Sequence, residues 1–482
     1  VGRRDSRHPG GDNAASPQNP KEESSMSRFV SRALAVAFAF AAGSAAAQQT
    51  ITVWFTKAFY PAEEQALNEV IKKFEAKSGV KVDLSLYSPE DVVTKSVAAV
   101  EAGNPPDVGF GFTYDFRVTG KWAFEDKLED ISDIIKPIES QFLPGPLSTT
   151  WLLNGKTGKK SYYAAPVEMQ LMHINYWIDM LQDAGFKESD IPNDWKGFWS
   201  FWCDKVQPAL RAKGQRVFAI GHPASVQASD TFYSFHMFMN AYDVQVVDET
   251  GKLTLDQPKN KAGLARALGD YAAIVKKGCS PASSVNWGDV DNNLNFANKT
   301  TVLTHNATIS IPAAQFDAMN RATSTAEQKA IARTNYYERI RTRGFPEKAT
   351  GGPLPQLAAV KTAVIFKDAK NKARGKEFLA FLLQEENLQP FVEGSLGRWV
   401  PVTKRASVAP FWTDGKDPHR KAVQQQVSQG LVFFPFVYNW KFTIINAENV
   451  WGRATARIAK DNVPPEKAAD EMIARIKQIL AQ

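Results

Sequence analysis

Between Thr50 and Phe112 the chain alternates twice between a short β-branched run and a longer amphipathic one, and this rhythm constrains the fold more than any other feature. Thr50–Phe55 reads as a strand. From Pro61 to Ala76 the apolar residues Ala66, Leu67, Val70, Ile71 and Phe74 recur at three- and four-residue spacing, the period of a helix with one buried face. Pro61 suits its first turn and Gly79 its C-terminal stop. A second strand follows at Val80–Leu86, a second helix at Pro89–Ala102, and a third strand at Asp107–Phe112 after the breaker Gly103-Asn104-Pro105-Pro106. Strands joined by helices through short connections imply a parallel sheet with crossovers. Such sheets bind ligands beyond the carboxyl ends of their strands, so the loops after Phe55 and Phe112 are the first candidates for a binding surface.

Farther on, Ser161–Tyr176 is extended and apolar, too long for one ordinary strand, and reads as two strands joined near Pro166. Helical patterns cover 197–213, 229–241, 261–276, 289–298, 370–383, 419–429, 444–460 and 466–481. Short strands are expected at 217–220, 301–304 and 360–366, and Ser324–Gly352 reads as a long, mobile connection. There is no internal repeat.

The N-terminal residues stand outside this fold. Met26–Ala47 has Arg28 and Arg32, an apolar run Ala33–Ala42, and small residues ending Ala45-Ala46-Ala47, the three-part pattern of a cleaved secretory signal. The run is shorter than the roughly 20 residues needed to span a bilayer. Residues 1–25 read as a start-site artefact or a segment too polar to fold. With residues 1–47 removed, the net charge falls from +7 to +5 without any basic block, which excludes a nucleic-acid role. Export makes a disulfide between Cys203 and Cys279 possible, and two separate buried thiols equally so.

Six landmarks then occur in order. They are ITVWFTKAFYPAEEQALNEVIKKFEAKSGVKVDL, AGNPPDVGFGFTYDF, YYAAPVEMQLMHINYWIDMLQDAG, FANKTTVLTHNA, GKEFLAFLLQEENLQPFVEGSLGRWVPV, and a last helix after Val463-Pro464-Pro465. In this pattern the chain, from Thr50 to Ala481, resembles the family 1 bacterial extracellular solute-binding proteins, the maltose-binding-protein-like sugar receptors of ABC importers. Asn175-Tyr176 stands where that family usually has Tyr-Asn. The resemblance implies an α/β, two-lobed periplasmic binding protein fold of type II, with parallel-rich sheets, flanking helices and hinge strands between the lobes. One lobe would hold residues 49–167 and 306–384, the other 168–305 and 385–482. It implies a monomer in the periplasm that closes on a small sugar, hands it to an inner-membrane permease, catalyses nothing and carries no cofactor or metal.

Sugars offer hydroxyl groups and apolar C–H faces, which call for hydrogen-bonding side chains and aromatic rings. Lys57 and Tyr60 follow the first strand, and Phe112, Tyr114 and Asp115 end the third. The resemblance puts Phe112 on the family's stacking aromatic, Asp115 on its sugar-binding aspartate and Glu168 on a ligand-facing glutamate. Trp287, Asn306, Gly352, Arg398, Trp399 and Trp440 complete the expected set, Gly352 through its backbone and Trp440 near another family tryptophan. Ala307–Ser310 stands where the family has a tryptophan, which puts a maltodextrin in doubt.

Three other readings compete. A secreted carbohydrate-active enzyme would need a carboxylate pair such as Asp115 and Glu168. A zinc protein would need clustered ligands, whereas His222, His236 and His305 are scattered and H-E-x-x-H is missing. The same fold could instead carry a polyamine, a polyol or a glycerol phosphodiester.

Overall fold

The computed structural model describes residues 49–482. The signal segment 26–47 and the stretch 1–25 lie outside these described residues. The opening rhythm folds as its pattern dictates. In β1 (Thr50–Thr56) Ile51, Val53 and Phe55 alternate into the core. β2 (Lys81–Tyr87) and β3 (Val108–Gly111) flank β1, both parallel to it. The helix Pro61–Ser78 starts on its proline and stops at Gly79, whose φ of 72° is a conformation that favours glycine. The helix Pro89–Glu101 is capped by Ser88, whose hydroxyl accepts from the Asp91 N–H.

After a separate hairpin, β4 (Trp151–Asn154) and β5 (Lys159–Tyr162), come β6 (Ala165–Leu171) and β7 (His173–Trp177). β8 (Phe218–Gly221), β9 (Thr301–Asn306), β10 (Ile340–Arg343), β11 (Gln356–Ile365) and β12 (Leu431–Val432) follow. Two larger sheets result. The first runs β12-β11-β3-β1-β2 with β6 also paired to β11, and the second runs β10-β7-β9-β8. Each has its own apolar core, one around Ile51, Phe110 and Val360, the other around Ile174, Ile220 and Leu303.

The chain passes from the first sheet to the second at Met172, between β6 and β7, and not at Pro166 as expected. Pro166 lies inside β6. There Thr362 of β11 pairs with Pro166 while Lys361 pairs with Glu168, leaving Val167 as an extra residue, and the bulge accommodates the proline. The expected connection 324–352 is largely ordered: it holds the helix Ala326–Thr334, a π-turn Asn335–Arg339, and β10. Thr325 and Gln328 form a capping box that starts that helix. A further helix at Ser310–Asn320 had no clear apolar period in the sequence.

Two segments lie apart from their expected lobes. β10 joins β7 of the second sheet. Residues from Leu388 to Val402 pack into the core of the first sheet, where Phe391 meets Phe55 at 6.1 Å and Val400 bridges Met169 of β6. Cys203 and Cys279 form a disulfide.

Candidate ligand-binding cleft

The carboxyl ends of β1 and β3 open onto a cleft of about 230 Å³. On the side of the first sheet its border is the turns after these strands and the start of the helix Pro89–Glu101. On the side of the second sheet it is the start of the helix Ser229–Ala241, the end of β9 and the Asp289 loop. The loop carrying Arg398 and Trp399 closes one flank.

That flank is an aromatic and cationic wall. The rings of Phe112 and Trp399 lie 4.6 Å apart, and the Arg398 guanidinium sits 4.6 Å from Trp399 and 5.0 Å from Phe112. Glu63 holds the wall from behind. It accepts from Arg398 Nη1 at 2.7 Å, from Trp399 Nε1 at 2.9 Å and from the Phe59 N–H at 2.9 Å. Glu63 is in the first turn of its helix, where the helix dipole also favours a negative charge.

The facing side is acidic and amide-rich. Asp289 accepts from Ser229 Oγ at 2.7 Å and from the Asp230 N–H at 3.2 Å, which caps the helix Ser229–Ala241. Asp230 is buried and accepts from Asn292 Nδ2 at 2.8 Å. Burial, then the neighbouring Asp289, raises the Asp230 carboxyl well above its ordinary range. Burial and Asp289 also raise Glu90. Beside them, Asn306 Nδ2 donates to Ser310 Oγ at 3.1 Å and to Asn293 Oδ1. Tyr233 reaches the cleft with its hydroxyl held by Lys361 Nζ at 2.9 Å. The buried hydroxyl of Thr113, which also lines the cleft, has no partner. Among the described residues no three His, Cys, Asp or Glu side chains converge as a metal site, and no helix is long and apolar enough to cross a membrane.

A profile of the bacterial extracellular solute-binding proteins matches residues 69–422, more than half of the chain. The chain belongs to this family. Solved solute-binding proteins share its two-lobed fold. One from Thermotoga lettingae bound with α-D-tagatose is 20% identical, with a TM-score of 0.70 over 90% of this chain and 100% of that one. Maltose-bound MalE3 of T. maritima is 18% identical, with a TM-score of 0.67 over 89% and 99%. The diacetylchitobiose binding protein DasA of Streptomyces coelicolor is 30% identical over 145 residues. That stretch is 30% of this chain and 31% of DasA, so the alignment spans about a third of the relative's length.

Of the twelve residues singled out in this solute-binding protein, Lys57, Phe112, Asn306, Arg398 and Trp399 border the cleft. Seven do not. Tyr60 turns inward, and its hydroxyl donates to the Ser395 carbonyl. Tyr114 is fully buried, its ring against Gly109 and Gly111 and its hydroxyl on Ser96. Asp115 is enclosed and faces Lys361 at 3.4 Å. Burial pushes its carboxyl up to about 6 while Lys361 pulls it down. Glu168 lies behind the Phe112 and Trp399 wall in a smaller hollow lined also by Phe55, Leu67 and Phe391. Its Oε2 has no partner, and burial followed by Glu63 raises it strongly. Trp287 is buried and donates to Ser283 Oγ at 3.2 Å. Gly352 sits in an exposed turn, its carbonyl accepting from the Lys348 N–H at 2.9 Å. Trp440 stacks on Phe124 at 4.0 Å and lines a different hollow.

The residues that sequence reasoning missed are Asp230, Tyr233, Asp289 and Asn293 on the cleft, with Glu63 and Lys361 behind it. Tyr233 sits in TFYSFHMF, which reads as a wholly buried helix. Asp230 and Asp289 read as ordinary helix-start residues. Lys361 did carry a signal, since a lysine inside the apolar strand AAVKTAVIF demands a partner.

Proposed function

We propose that this chain is the solute-capturing component of an ABC importer and that its ligand is a sugar or a sugar-like compound. The observation that carries the reading is the pairing of walls across one cleft. Phe112, Trp399 and the Arg398 guanidinium suit the C–H face of a pyranose, while Asp230, Asp289, Asn293 and Asn306 suit its hydroxyls. The ligands printed for the relatives, tagatose, maltose and diacetylchitobiose, point the same way. We assign one lobe to the six-stranded sheet and one to the four-stranded sheet, with closure about the Met172 crossing. The mature protein would work as a monomer in the periplasm, without catalysis, after cleavage of the signal 26–47, and would dock on an inner-membrane permease.

A second reading, a polyamine or other cationic solute, draws on Asp230, Asp289 and Glu90 standing together, but Lys57 and Arg398 in the same cleft oppose it. A thermal-shift panel of sugars, polyols, polyamines and phosphodiesters decides between them. A ligand at 100 times its Kd adds about 2.7 kcal/mol of stability. Stabilisation by a mono- or disaccharide is expected. Stabilisation by polyamines alone, with every saccharide inert, would overturn the sugar assignment.

A further inference from the structure

All ten residues of β11 are buried, and Lys361 stands in the middle of them with no exposed side-chain surface. An ammonium enclosed this way needs compensation. Its acidic neighbours supply less than their number suggests. Asp115 Oδ2 is 3.4 Å away, long for a charge-assisted bond, and Asp115 Oδ1 and Glu168 Oε2 have no partner at all. The short bond, at 2.9 Å, is to the phenol of Tyr233, whose ring centroid lies 5.0 Å from the same nitrogen.

The direction of that bond is forced, because an ammonium can only donate. The Tyr233 oxygen therefore accepts, and its own hydrogen points elsewhere. That hydrogen makes no hydrogen bond to any of the described residues, and Tyr233 borders the cleft. Lys361 comes from the first sheet and Tyr233 from a helix in the core of the second, so the bond also ties the two halves beneath the cleft floor.

We infer that Tyr233 is a donor-only contact on the cleft floor, held and polarised by Lys361 as a positioning residue, and that it receives an acceptor oxygen of the ligand. This rests on the proposed role as a solute receptor. A ring, glycosidic, carbonyl or carboxylate oxygen meets the requirement. An ammonium group of the ligand does not.

The test is calorimetric titration of the processed protein with maltose, α-D-tagatose and N,N′-diacetylchitobiose, using whichever binds the wild type most tightly. Tyr233→Phe is expected to weaken that binding about tenfold, and Lys361→Met by a similar factor. The decisive result is their combination. Lys361→Met should cost nothing further once the hydroxyl is gone, whereas a merely structural lysine would weaken both backgrounds equally. Should Lys361→Met fold poorly, the charge-neutral pair Asp115→Asn with Lys361→Met takes its place. Wild-type affinity in Tyr233→Phe, or equal loss in both backgrounds, overturns this inference and leaves the receptor reading standing. If none of the three binds, the most stabilising saccharide of the thermal-shift panel takes their place, and failure of every saccharide there overturns this donor contact together with the sugar assignment.

Discussion

Replacing Glu63 with glutamine tests how the cleft wall is held. The carboxylate accepts three hydrogen bonds, from Phe59 N, Arg398 Nη1 and Trp399 Nε1, at 2.9, 2.7 and 2.9 Å. The side chains of Glu63 and Arg398 are only 8% and 12% exposed, so water can replace little of the interaction. Glutamine keeps one acceptor oxygen and presents a donor where the other stood, so one of the two arms is lost. Hydrogen bonds to charged groups contribute about 1.5–3 kcal/mol each, and breaking one partner of a buried pair costs about 3–5 kcal/mol. Arg398 retains the faces of Phe112 and Trp399, which places the loss near the lower limit, about 3 kcal/mol. Urea unfolding measures it directly. Sugar affinity should fall at least tenfold in the same protein, because the wall loosens. Adding Arg398→Met should restore part of the stability and none of the affinity. A loss below about 1 kcal/mol with binding unchanged would mean that Glu63 and Arg398 behave as an ordinary surface pair and that the wall stands without them.

Buried histidines should make an acid-sensitive contribution to stability. Burial holds His173, His236 and His305 down to about 3, so between pH 6.5 and 3 the unfolded chain binds protons that the folded one refuses. Their contribution is therefore full above pH 7 and falls as the pH drops. The three together lose about 6 kcal/mol by pH 5. Asp115, raised to about 6, shifts the other way and offsets about 1 kcal/mol, and the raised carboxyls of Glu168, Asp230 and Glu90 offset more in the same direction. Urea midpoints of the wild type and of His236→Phe at pH 7 and pH 5 check the histidine share: the variant should lose about 2 kcal/mol less than the wild type on acidification, and equal losses contradict it. Replacing Cys203 and Cys279 together with serine should cost about 4 kcal/mol, the loop-closure entropy for a bridge across 76 residues, and should leave sugar affinity unchanged because the bridge stands away from the cleft lining. A large loss of affinity in that variant would tie the disulfide to the cleft.

The first sheet was legible because its strands and helices each obey one period. Thr50–Thr56, Pro61–Ser78 and Pro89–Glu101 lie within two residues of where the apolar spacing puts them. The crossing was not, because Pro166 looked like the break and only the bulge at Val167 explains why it is not one. In the site, residues that end strands of the first sheet were readable from topology, and Lys57 and Phe112 reached the cleft. Tyr60, Tyr114 and Trp440 failed for a common reason. An aromatic beside a candidate loop is chemically the same whether it packs inward or faces a ligand, and only neighbours distant in sequence, Ser395, Ser96 and Phe124, decide which. Asp230 and Asp289 were hidden because a carboxylate that sits in or caps a first helical turn and a ligand-binding one have the same local signature.

Calorimetric titration of the processed protein with its tightest saccharide, wild type beside Trp399→Ala and Asp230→Asn, tests the central claim most directly. If Trp399 and Asp230 grip opposite faces of one guest, binding is one to one and each change weakens it by tenfold or more. Affinity retained in both variants would place the ligand somewhere other than this cleft.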